Sequence, residues 1–72
     1  MAGRIYIDLV LDNGDLVRIE CPGKYENELY ESIENTMRTR QWWSPESFDG
    51  CSAQFQGMYL ERVNMGRVVG IL

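Results

Sequence analysis

The side chains with which this chain could do chemistry are few, and their spacing assigns most of them elsewhere. Its 72 residues include two cysteines, six arginines, one lysine, eleven carboxylates and no histidine. Without an imidazole, general acid–base catalysis near neutral pH lacks its usual carrier. A cysteine nucleophile needs a basic neighbour and access to solvent, yet Cys21 and Cys51 both fall on positions whose alternation points them inward. They read as reduced thiols, because nothing marks a secreted, disulfide-bearing domain. A tetrahedral zinc site would need carboxylates to complete it, which a single small chain rarely arranges. Asp12 and Asp15 flank a turn, where short acidic side chains satisfy backbone amides. The seven glycines are scattered through turns and build no phosphate loop. The expectation is a protein that is not an enzyme and carries no cofactor and no metal.

What remains is recognition chemistry, at three places. The first is the loop from Gln41 to Gly50, which carries Trp42, Trp43, Pro45 and Phe48. Adjacent residues cannot easily send two large rings into one pocket. Trp42 continues the stripe Leu29, Ile33, Met37 at a spacing of five, so it is expected to close the end of the core. Trp43 is then expected outward beside Pro45 and Phe48, rimmed by Arg40, Glu46 and Asp49, as an interface anchor. The competing reading is that both rings cap a small core.

The second place is a sheet face bearing Tyr6 and Tyr59, with Arg4, Arg18 and Arg62 nearby. Such a face can meet a protein or stack bases. The third is an acidic face formed by Glu26, Glu28, Glu31 and Glu34, which is equally the solvated side of an amphipathic helix.

The element that must position these groups is a hairpin over Arg4–Cys21. Ile5, Ile7, Leu9 and Leu11 alternate with Arg4, Tyr6, Asp8 and Val10, the period-2 pattern of a half-buried strand. Val17, Ile19 and Cys21 alternate with Leu16, Arg18 and Glu20. A two-residue Asn13-Gly14 loop would set Leu9 against Arg18 and mix the faces. A three-residue Asp12-Asn13-Gly14 loop, with Gly14 left-handed, sets Leu9 against Val17, Ile7 against Ile19, and Asp8 against Arg18. A slip of one residue inverts every side chain, so the pattern selects the longer loop.

Pro22 and Gly23 end the second strand. Tyr25, Leu29, Ile33 and Met37, flanked by Tyr30 and Thr36, predict a helix over about Tyr25–Arg40, with Gly23 or Asn27 as its cap. Glu34 and Arg38 have favourable ion-pair spacing within it. Ser44 and Pro45 fit the cap and first position of a single helical turn. A second hairpin turns at Gln56-Gly57, pairing Phe55 with Met58 and Ala53 with Leu60; Gln is a poor residue for that turn. A tight bend over Val63–Arg67, with room for one 3₁₀ turn, leads to a last strand over Val68–Leu72, expected to pair inside the sheet.

The order ββαβββ predicts an α+β domain, 1–72, with one amphipathic helix on a small, curved, mainly antiparallel sheet of four to five strands. One helix covers one face, so the other becomes either a second core layer in a curled half-barrel or an interface. A chain of this length buries only about 60% of its unfolded surface, which leaves a thin core.

No apolar run approaches the roughly 20 residues that span a bilayer, and the Met-Ala-Gly-Arg opening lacks a signal peptide's apolar centre. The expected location is the cytoplasm, with no membrane partner. Charge is uneven: the total is −4, and residues 20–34 alone hold five glutamates against one lysine. That balance disfavours nucleic acid as a partner. The leading functional expectation is a small interaction or regulatory module, homo-oligomeric or bound to a protein. The alternatives are an acidic inhibitor or decoy of phage or plasmid type that uses the Glu-rich helix, and a single-stranded nucleic-acid binder that uses sheet aromatics and Arg.

Overall fold

The Asp12-Asn13-Gly14 turn sets the register of the whole sheet. In the computed structural model, which describes residues 3–72, the Leu11 amide donates to the Asp15 carbonyl at 2.9 Å, and the Leu11 carbonyl accepts from the Gly14 amide at 2.9 Å. Gly14 has φ +90°, a conformation that costs glycine little and a side-chain-bearing residue much more. Strand β1 (Arg4–Leu11) and strand β2 (Leu16–Pro22) therefore pair as the alternation requires: Leu9 with Val17, Ile7 with Ile19, Ile5 with Cys21, and on the other face Asp8 with Arg18 and Tyr6 with Glu20. Met1 and Ala2, the start of the Met-Ala-Gly-Arg opening, lie outside the described residues.

Strand β3 (Ser52–Phe55) adds to β2, and β4 (Met58–Leu60) adds to β3 through a two-residue turn. Gln56 and Gly57 have φ of 50° and 81° there, the double left-handed geometry that suits the right-handed twist of a hairpin. Strand β5 (Val68–Ile71) adds to the free side of β1. The order is β4-β3-β2-β1-β5, every pair is antiparallel, and the sheet does not close into a barrel. The last strand is thus paired but lies at an edge, not inside the sheet as its apolar run suggested. The segment before it bends without forming a 3₁₀ turn.

Helix α1 (Glu26–Thr39) follows a 3₁₀ turn at Gly23–Tyr25. Neither Gly23 nor Asn27 caps it; Tyr25 holds that position and offers no side-chain acceptor. Leu29, Ile33 and Thr36 are its buried residues, whereas Tyr25 and Met37 are half-buried and Tyr30 is exposed. The helix stops because Arg40 turns left-handed, at φ 59°, and returns its amide to the Thr36 carbonyl. Arg38 bonds the Asn35 side chain instead of pairing with Glu34.

The core lies between helix and sheet. Ile7, Leu9, Leu11, Val17, Ile19, Cys21, Leu29, Ile33, Trp43, Ala53, Val63 and Val68 form one buried cluster. Every one of its β1 and β2 members comes from the same face of the sheet. Among the described residues, no element lies over the opposite face.

Candidate interaction surface

The open face can be read row by row from the register. Tyr59 pairs with Gln54, Gln54 with Arg18, and Arg18 with Asp8; the Leu72 amide then donates to the Asp8 carbonyl at 2.8 Å. On one side of that row lie Ser52, Glu20 and Tyr6, and on the other Leu16, Val10 and Gly70. Tyr6, Leu16, Tyr59 and Leu72 are 60%, 46%, 73% and 78% exposed, far more than residues of a second core layer would be. The half-barrel alternative therefore falls: among the described residues, nothing covers this face.

The charges on that face neutralise one another. Arg18 reaches Asp8 with two hydrogen bonds, Nε to Oδ1 at 3.0 Å and Nη2 to Oδ2 at 3.3 Å. The hydrogen bond to Asp8, and then its charge, raises the Arg18 guanidinium further above its ordinary range. Arg4 pairs with Glu20 and also donates to the Gly50 carbonyl at 2.6 Å. Two cations and two anions thus leave the face with no net charge. Tyr6 and Tyr59 share it, but they stand three strands apart, roughly 14 Å at ordinary strand spacing.

The tryptophan assignment is reversed. Trp43 is 2% exposed and belongs to the core, and Trp42 is 62% exposed. The left-handed Arg40 ends the helical stripe, so a spacing counted on from Met37 no longer applies. Trp43 is instead placed by a distant partner. It exchanges backbone hydrogen bonds with Val63, its amide donating at 3.4 Å and its carbonyl accepting at 2.7 Å. Its Nε1 donates to Ser32 Oγ on the helix at 3.0 Å.

Phe48 stacks on the Trp43 ring at 6.4 Å between centroids and meets Tyr25 edge-on at 5.4 Å. Phe48 and Pro45 are half-buried, so the expected outward patch of Trp43, Pro45 and Phe48 does not exist. The Pro45–Ser47 turn forms as read, with Ser44 Oγ accepting from the Glu46 amide at 3.4 Å. Trp42 carries the Arg62 guanidinium 5.1 Å from its ring centroid, a cation–π pair that sequence spacing does not show.

Glu26, Glu28, Glu31 and Glu34 are all exposed, and among the described residues none is in a salt bridge. Cys21 and Cys51 are both free thiols, Cys21 buried and Cys51 half-buried, as inward positions require. Burial, then a hydrogen bond to Cys21, pushes the Cys51 thiol up to about 12. Among the described residues no group of three or more Cys, Asp or Glu side chains is placed to hold a metal ion, and no helix is long and apolar enough to cross a membrane. No protein-family model, no curated protein and no solved structure matches the chain.

Proposed function

We propose that this chain is a non-catalytic interaction module of the cytoplasm that pairs with a second copy of itself through the open face of its sheet. The observation that carries this reading is a five-stranded sheet with a helix on one face only and Tyr6, Val10, Leu16, Tyr59 and Leu72 on the other. Size sets the strength of the pairing. Five strands of three to eight residues, spaced about 4.8 Å apart, give a face of roughly 400 Å². Doubled across a dimer, that is roughly 800 Å², the size of a weak, reversible interface and not of an obligate one. Charge supports the pairing. The face is neutral while the whole chain carries −4, so two copies meeting there hold their acidic helices on opposite outer sides. A neutral face gives nucleic acid no attractive field, which removes the support for the base-stacking alternative.

The test is size-exclusion chromatography with light scattering. The parent is expected at twice the mass of one chain at about 100 µM, and the variant Tyr6→Glu/Leu16→Lys at the mass of one chain, with its circular dichroism and melting temperature kept. A parent that stays monomeric would sink the reading.

A second reading rests on the four unpaired glutamates of α1. An acidic face free of its own cations is suited to a basic protein partner, as a decoy or inhibitor would be. Loss of capture of a basic partner on Glu28→Gln/Glu31→Gln, with the dimer intact, would favour it.

A further inference from the structure

The two thiols lie at the end of the β2–β3 ladder, Cys21 in β2 and Cys51 immediately before β3, at the kind of site where a bond between them can close. The Leu11–Asp15 hydrogen bond fixes which β2 residues point their backbone groups at β1: Val17, Ile19 and Cys21. The alternate residues, Arg18 and Glu20, turn theirs to β3, where they pair with Gln54 and Ser52. Ile19 and Ala53 are then a pair without mutual hydrogen bonds, and the same register, carried one step past the Glu20–Ser52 pair that ends the ladder, sets Cys51 opposite Cys21. The Cys51 amide agrees, since it donates to the Phe48 carbonyl at 3.1 Å and not across the ladder. At such pairs the Cα atoms stand about 4.5 Å apart, inside the range of about 4.4–6.8 Å that a disulfide needs, though near its short end. Both side chains are on the helix-covered side, Cys21 within the core cluster and Cys51 packed against it.

We propose that Cys21 and Cys51 form a reversible dithiol–disulfide pair that is oxidised by a low-molecular-weight disulfide of the glutathione class. Cys51, half-buried, is the attacking thiol because solvent reaches it and not Cys21; burial holds its proton, so it attacks slowly through a small thiolate fraction, and Cys21, fully buried, is the resolving one. The Cys51 thiolate attacks one sulfur of the small disulfide, whose S–S bond breaks and releases one thiolate. Cys21 then gives its proton to solvent, and its sulfur attacks Cys51 Sγ, breaking the mixed disulfide and releasing the second thiolate. The protein loses two electrons and two protons, and the small disulfide is reduced to two thiols. A closed bond at the short end of the range is strained and readily reduced, so the pair returns to thiols in a reducing compartment. Closure clips β2 to the turn that carries Phe48.

The native chain is incubated with oxidised glutathione at about pH 8, then treated with maleimide and read by intact mass and peptide mapping. The expected product has lost the mass of two hydrogens, takes up no maleimide, yields a linked peptide containing Cys21 and Cys51, and reverts with dithiothreitol. Cys21→Ala should stop at one glutathione adduct on Cys51. Four results would overturn the proposal: a stable adduct on the parent without closure, a disulfide between two chains, reaction only in denaturant, or no adduct on the Cys21→Ala variant.

Discussion

The Trp43 indole donates to Ser32 Oγ at 3.0 Å, and this bond ties the aromatic loop to the middle of the helix. It also satisfies the polar atom of a ring that is otherwise sealed in the core. Trp43→Ala should cost about 3–5 kcal/mol of folding stability, close to everything a domain of this size holds. Ser32→Ala should cost about 1 kcal/mol, because it removes the partner and leaves the indole N–H wanting. Urea melts of the two variants check the order of the effects.

Trp42 and Trp43 should separate spectroscopically. Trp42→Phe leaves the buried ring, so its emission is expected to be blue-shifted and poorly quenched by acrylamide. Trp43→Phe leaves the exposed ring, with red-shifted emission and ready quenching. The opposite assignment of the two spectra would return Trp42 to the core.

The contrast between these rings and the first hairpin shows what could be read from residues alone. Both strands of that hairpin carry a strict alternation, and the turn between them holds a glycine where φ must be positive. Register follows from those two local facts together. The tryptophans have no comparable constraint. Their placement turns on Arg40 adopting a left-handed conformation, which arginine does not advertise, and on a bridge to Val63 twenty residues away in sequence. The open sheet face is legible as a question: one helix covers one face, but only the exposures of Tyr6 and Tyr59 decide that the described residues leave the other bare. The partner of Arg62 needed the same distant pairing to bring it over Trp42.

Two turn residues make a paired prediction. A Cβ at Gly14 would meet nothing within 4 Å, so Gly14→Val tests backbone strain alone and should cost about 1–2 kcal/mol. Gln56, at φ 50°, occupies a position that asparagine tolerates better. Gln56→Asn should therefore stabilise by roughly a few tenths of a kcal/mol. Thermal melts of the two variants should move in opposite directions.

Alkaline pH should weaken the fold through Cys51. Burial first, then its hydrogen bond to Cys21, raises that thiol from an ordinary 9.0 to about 12. The folded chain thus holds the proton more tightly than the unfolded chain. The stability that this group contributes is complete below about pH 9 and is lost as pH climbs toward about 12. Urea melts at stepped pH across that window should show a shallower loss for Cys51→Ala than for the parent. Parallel losses would show that the thiol is not responsible.

Strand β4 has three residues and strand β5 has four, with a register shift where β5 meets β1. These two outer ladders are the places where copies could join by backbone hydrogen bonds, and such joining has no natural end: each added chain presents the edge that the next one needs. Broad-face pairing about a two-fold axis behaves differently, since each copy uses its whole binding surface on the other and none is left over. Short, irregular margins with an uncovered broad side therefore favour assemblies that stop at two over filaments. Concentrating the protein a hundredfold should bring its scattering mass to a plateau, not set it climbing.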